Sequence, residues 1–232
     1  MTRRIDRRQA LAALGTVSLG ALLQACGDDT VPTTRGGSAT VAPETTTSPE
    51  TAGRFGERSN CTLTPELTEG PYYFDADAVR SDIRAGRDGT ELRLAVRVRD
   101  ADCSPLANAV VDIWHCDAAG GYSTEDDPFL RGAQVTNRDG IVEFTTIYPG
   151  WYRGRTVHIH AKVHLDASTV LTTQLFFDDA VSATVYEREP YASHGRDQFN
   201  DGDDIFDPVL VLDLERSGGG YLGTISFDVA AT

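Results

Sequence analysis

This sequence predicts an all-β fold: an antiparallel, immunoglobulin-like or transthyretin-like β-sandwich with long loops, preceded by a disordered tether. Three observations carry that reading. Short apolar runs recur with a period of two, turn signals such as "DADCSP", "NRDG", "YPG" and "SGGG" separate them, and no long stretch shows helical periodicity.

Taken in order, the runs are "ELRLAVRVRD", "NAVVDIWH", "GIVEFTTI", "TVHIHAKVHL", "TVLTTQLFF", "VLVLDLE" and "YLGTISFDV". In the first, Leu92, Leu94, Val96 and Val98 alternate with polar or small residues, the pattern of a strand with one face on a core. In the fourth, Val157, Ile159, Ala161, Val163 and Leu165 share one face, and His158, His160, Lys162 and His164 share the other.

Ahead of the strands, residues 1–25 have the layout of an export signal: arginine pairs, an apolar run from Ala10 to Leu23, then a small residue. Arg7 and Arg8 followed by Leu11 resemble a twin-arginine signal, and "LLQAC" resembles a lipoprotein cleavage site that would leave Cys26 acylated. Residues 26–59 are rich in Thr, Ser, Pro, Gly and Glu and cannot bury enough apolar surface to order themselves, so they read as a flexible tether. Residues 60–232 fit one domain. The expectation is an exported protein whose contact with a membrane is the lipid on Cys26.

The formal net charge is −14, and removing a leader with four arginines against Asp6 makes the remainder more acidic still. That balance argues against a nucleic-acid partner. Of the cysteines, Cys61, Cys103 and Cys116 would remain in an oxidising compartment, enough for one disulfide and one free thiol, with all three pairings open.

The chain has five histidines, and three of them fall between 158 and 164. Imidazoles two positions apart on a strand stand ~6.5 to 7 Å apart along the backbone and can converge on one ion, which makes His158 and His160 candidate ligands. Tyr152 lies just upstream, and Tyr122 follows a double glycine. A phenolate is a hard anionic donor suited to Fe(III), and the ion's charge can ionise a phenol whose free pKa is ~10. Tyr152 could equally tie a sandwich corner, and Tyr122 could cap a loop.

"TEGPYYFD", "VDIWHCDAAGGYS", "FLRGAQVTNRDG", "TIYPGWYRGRTVHIH" and "TTQLFFDD" stand in the order and spacing of the intradiol ring-cleavage dioxygenases, and the chain resembles the exported, single-domain branch of that family over residues 60 to 206. The resemblance implies a non-haem Fe(III) cofactor held by Tyr122, Tyr152, His158 and His160. It implies catalytic roles for Tyr152, as the phenolate that substrate displaces, and for Arg155 and Gln174, as groups that stabilise charge gathering on the substrate. The implied reaction opens a catechol-type ring between its two hydroxylated carbons with O2, giving a cis,cis-muconate-type diacid. The implied partners are a small aromatic diol and O2, with a homo-oligomer left open. One departure stands out: the interval from Tyr152 to His158 is shorter than in the cytosolic enzymes of the family, so their substrate range does not transfer.

Other residues have plainer readings. His115 beside Trp114 reads as a core or supporting histidine, and His164 lies outside the family pattern although it shares the face of His158 and His160. Tyr72, Tyr73 and Trp151 are candidates for an aromatic pocket wall or for core packing. The "NDGDD" run lacks the spacing of a calcium loop and reads as solvated. Two rival functions remain: a zinc hydrolase using His158, His160 and His164 with water, and a non-catalytic β-sandwich displayed on a tether.

Overall fold

The computed structural model describes residues 30–32, 38–40, 48–56, 61–76, 78–165 and 168–230. The expected signal, residues 1–25, and Cys26 lie outside the described residues. No helix among the described residues is long and apolar enough to cross a membrane.

Strands β1 (Thr30–Pro32) and β2 (Ser38–Thr40) form a short hairpin, followed by the single-turn helix α1 (Pro49–Ala52). The domain proper is built from β3 (Glu91–Asp100), β4 (Val110–Trp114), β5 (Arg131–Val135), β6 (Ile141–Ile147), β7 (His158–Leu165), β8 (Ser168–Phe176), helix α2 (Asp179–Val185), β9 (Asp213–Ser217) and β10 (Gly220–Val229). Two four-stranded sheets result, ordered β6-β3-β10-β9 and β5-β4-β7-β8. The sandwich follows from period-two alternation: Leu92, Leu94, Val96 and Val98 of β3 join Val111 and Ile113 of β4 and Ile159, Ala161 and Val163 of β7 in one buried cluster. Each of these valine, leucine and isoleucine side chains contributes about 1.5–3 kcal/mol on burial.

The structure departs from the expected antiparallel pattern at one pairing. β10 runs parallel to β3, in register from Tyr221 opposite Leu92 to Val229 opposite Asp100, so the first sheet is mixed. Parallel neighbours need a long crossover, and here the whole second sheet lies between them in sequence. β5 was not among the expected strands because "RGAQV" has no apolar alternation. The run "VLVLDLE" yields β9 only from Asp213 onward, since Asp207 accepts from the Val209 N–H and starts a 3₁₀ turn over Pro208–Leu210.

The end of the expected tether is also ordered. Thr51 is fully buried and its hydroxyl donates to Glu143 of β6, while Arg93 of β3 donates to Glu143, Ser48 and Thr51. Polar anchoring thus holds a segment that has little apolar surface to bury.

A strap from Cys61 to Asp75 then crosses the second sheet. Cys61 is joined to Cys103, which leaves Cys116 as a buried free thiol. Leu67 N–H donates to Thr172 O, Thr173 donates to Pro65 O, and Thr64 N–H donates to Asp228 O. Asp228 also takes two hydrogen bonds from Arg99, at 2.8 and 3.1 Å, with both side chains nearly inaccessible. Asp228→Ala leaves that guanidinium buried without its partner, so it is expected to cost about 3–5 kcal/mol, read from the urea midpoint. A loss under about 1 kcal/mol would contradict the pairing.

Candidate metal centre

β7 is buried on both faces, which is where the site begins. Its apolar face belongs to the core; its polar face, carrying His158, His160, Lys162 and His164, is covered by the strap and by loops rather than by water. His158 Nδ1 lies 2.7 Å from Thr156 O, so that nitrogen carries the proton and the Nε2 lone pair points outward. His160 is stacked on Trp114 of β4, with ring centroids 5.0 Å apart and planes 6° from parallel.

Two loops deliver the tyrosines. Tyr122 follows β4 and Tyr152 follows β6, and these loops meet backbone to backbone: a Cβ on Gly120 would lie 2.4 Å from Trp151 O, and one on Gly150 would lie 2.3 Å from Asp117 O. Only glycine permits that approach, and Gly120 also sits at φ +84°. Asp117 stiffens the first loop by accepting from the N–H groups of Ala119 and Gly121.

The four donors meet. Tyr122 Oη lies 3.3 Å from His158 Nε2 and 3.1 Å from His160 Nε2; Tyr152 Oη lies 3.4 Å from His158 Nε2; the two Nε2 atoms are 3.1 Å apart. Ligands ~2 Å from a common ion stand about this far from one another. The chemistry of the set agrees. Burial, aided by the nearby Arg155 charge, holds His158 down to about 3, and burial holds His160 well below its ordinary value, so both imidazoles stay neutral, as a ligand must be. Burial pushes the phenols of Tyr122 and Tyr152 up, so their ionisation calls for a cation in their midst. Two neutral imidazoles whose Nε2 atoms face two phenols make an arrangement that a hard trivalent ion fits.

Arg155 and Gln174 join the same cluster. Gln174 lies opposite His160 across the β7–β8 pairing, its Nε2 donates to Thr68 O at 2.8 Å, and its Oε1 accepts from Arg155 Nη2. Arg155 Nε donates to both carboxylate oxygens of Asp203, at 3.0 and 3.2 Å. This corrects the reading of "NDGDD" as a solvated loop: Asp201 and Asp204 are exposed, but Asp203 is buried.

The remaining candidates separate cleanly. His115 is a core histidine, bonded to Cys116 O and Thr146 Oγ1. His164 pairs with Thr169, and among the described residues no three His, Cys, Asp or Glu side chains converge, which removes the third ligand of the zinc alternative. Tyr72 walls the site, stacked on Tyr122 at 4.3 Å. Tyr73 packs on Trp114 under the Lys162 ammonium instead, and Trp151 is a core residue whose Nε1 donates to Gly195 O. Trp114 and Asp203 were missed, since neither shows a local sequence signal.

Buried neutral imidazoles set a pH dependence for the metal-free protein. Burial holds His115 and His164 down to about 4, as it holds His158 down to about 3. The unfolded chain therefore binds protons below about 6.5 that the folded state refuses, and stability rises with pH through that window. Asp112, pushed up to about 7 by burial, acts in the opposite sense, as one group against several. Acidification from about pH 6.5 to 4.5 is expected to lower the urea-derived stability, by up to about 1.4 kcal/mol per pH unit for each imidazole. A flat profile would contradict neutral burial of these rings.

Comparison with known proteins points to one family. A family model described as dioxygenase matches residues 68–187. The intradiol ring-cleavage dioxygenase of Tetranychus urticae superposes with a TM-score of 0.69 at 33% identity, covering 73% of this chain and 95% of that one. The dioxygenase domain of a dioxygenase carbohydrate-binding protein fusion from Streptomyces sp. SirexAA-E gives 0.61 at 34% identity, covering 74% and 100%. A catechol 1,2-dioxygenase of Acinetobacter lwoffii is 32% identical over 163 residues, 55% of this chain and 52% of that protein; a chlorocatechol 1,2-dioxygenase of Rhodococcus opacus is 29% identical over 159 residues, covering 58% and 62%. The chain thus spans between about half and three-fifths of the length of these curated relatives. With the family model over more than half of its length and the motifs at one centre, the chain belongs to the intradiol ring-cleavage dioxygenase family.

Proposed function

We propose that the protein is a non-haem Fe(III) dioxygenase that opens a catechol-type ring between its two hydroxylated carbons with O2, giving a cis,cis-muconate-type diacid. The observation that carries this reading is the convergence of Tyr122, Tyr152, His158 and His160 with donor atoms 3.1–3.4 Å apart. The names of the catechol and chlorocatechol 1,2-dioxygenases among its relatives support it.

When bound, the ferric ion supplies a Lewis-acid centre that holds the diol and makes its ring reactive toward oxygen. The protein's part is holding, orienting and proton transfer. With the ion bound, Tyr122 would be the permanent phenolate, touching both imidazoles under the Tyr72 ring, whereas Tyr152, which touches only His158 of the two imidazoles, would be the phenolate that yields its place. On release, Tyr152 Oη takes a proton from an incoming hydroxyl. Arg155, fixed against Gln174 Oε1, offers positive charge where the opening ring accumulates negative charge.

We further infer an exported protein carried on a lipid at Cys26, with no nucleic-acid partner; the leader and the acidic charge support this.

The test is oxygen uptake by the iron-loaded protein over a panel of catechols, with products identified by mass. One O2 per ring, both atoms in a muconate-type diacid, is expected. Tyr122→Phe is expected to lose the reddish tyrosinate colour, at least about tenfold in iron affinity, and turnover. Full iron and full turnover in that variant would overturn the ligand assignment.

A further inference from the structure

We propose that Asp203 is a positioning residue that aims Arg155 at the donor centre. Its consequence for turnover rests on the dioxygenase reading; its structural role does not.

Three features single Asp203 out. Its side chain is 1% exposed, in a run whose neighbours Asp201 and Asp204 face solvent. A carboxylate taken out of water is unfavourable unless its oxygens are fully bonded, and these are: Oδ2 accepts from the Thr156 N–H at 2.9 Å, Oδ1 accepts from the Ile205 N–H at 2.9 Å, and both accept from Arg155 Nε. The backbone therefore fixes the carboxylate, and the carboxylate fixes the guanidinium.

Arg155 is planar, so two of its edges determine its pose. Nε is held by Asp203, and Nη2 by Gln174 Oε1, with Gln174 anchored in turn on Thr68 O. That leaves Nη1, for which no described residue supplies a hydrogen-bond acceptor. Gln174 lies opposite His160 in the β7–β8 pairing, so its bond to Nη2 ties Arg155 to the strand that carries the two imidazoles. An arginine gripped through both Nε and Nη2 is set to meet charge that develops in the reaction rather than charge already present in the bound diol.

The test uses Asp203→Asn in the full iron-loaded protein. The kcat for a simple catechol is expected to fall about 100-fold, the size of effect seen when one transition-state donor is lost. KM should change less than about threefold, with iron content and tyrosinate colour unchanged. In an Arg155→Ala background the same substitution should cost nothing further. Asp203→Glu, which restores the charge, should recover at least about tenfold of the loss, separating the grip from simple damage to the loop. Equal losses with and without Arg155, or a Glu variant no better than Asn, would overturn the proposal.

A readout without iron decides the structural claim alone. The Arg155 Nε–H signal, identified by its disappearance in Arg155→Ala, should exchange slowly with solvent in the metal-free wild type and fast in Asp203→Asn. Equal protection in both would refute the role. Should the wild type cleave no catechol, the dioxygenase reading falls, and the exchange rate of this signal still decides whether Asp203 holds Arg155.

Discussion

Four uncharged donors pressed together inside a protein are the constraint on which this structure turns. His158 is committed as a donor at Nδ1 to Thr156 O, so its Nε2 lone pair faces His160 Nε2 and two phenol oxygens. Without a cation, phenol hydroxyls can donate to the imidazole nitrogens, and the surroundings hold the grouping in place. The surroundings are correspondingly rigid: a tryptophan face against His160, a tyrosine face on Tyr122, and two loops locked backbone to backbone at Gly120 and Gly150. The arrangement follows the general logic of preorganised sites, in which the free energy of folding pays in advance for the geometry of the ligand set.

That free energy comes from the opposite face of the same strand. Ile159, Ala161 and Val163 lie in the inter-sheet core, so β7 is anchored by apolar contact while its polar face is free to specialise. The strap closes that face by ionic and aromatic contacts. Arg131 donates to Phe74 O and Tyr72 O and lies over the Phe74 ring, and Lys162, the chain's only lysine, pairs with Glu69 and lies over the Tyr73 ring. Cations that cover aromatic faces exclude water without adding an apolar patch at the surface.

How much of this was legible depends on the range of the interaction. Period-two alternation is local, so β3, β6, β7 and β10 could be read directly, along with the two faces of β7. The four candidate ligands came from the family resemblance, and their side chains lie together, with donor atoms 3.1–3.4 Å apart. Pairing is not local: nothing near Tyr221 announces a parallel partner at Leu92, far earlier in the chain. The same holds for Asp203. Composition marks "NDGDD" as acidic, but which acid turns inward is decided by Arg155 and the Thr156 N–H, on a distant part of the chain. The disulfide was one of three open pairings for the same reason, since proximity of Cys61 to Cys103 is a product of the fold.

The two tyrosines show how identical side chains acquire different work from their supports. Tyr122 is clamped from above by the Tyr72 ring and from behind by the contact of Gly120 with Trp151, and its oxygen bridges both imidazoles. Tyr152 reaches only one of them, and it heads a tight turn in which the Arg155 N–H donates to Tyr152 O. The far end of that turn is fastened: Asp203 holds both the Arg155 side chain and the Thr156 N–H. Both ends of the turn are therefore held, the Tyr152 end through the contact of Trp151 O with Gly120 and the Arg155 end through Asp203. On the proposed reading, the tyrosine that would yield its place and the arginine that would keep its own stand at opposite ends of one turn. The short interval between Tyr152 and His158 is compatible with this division, because the anchor comes from Asp203 across the fold and not from extra length in the loop.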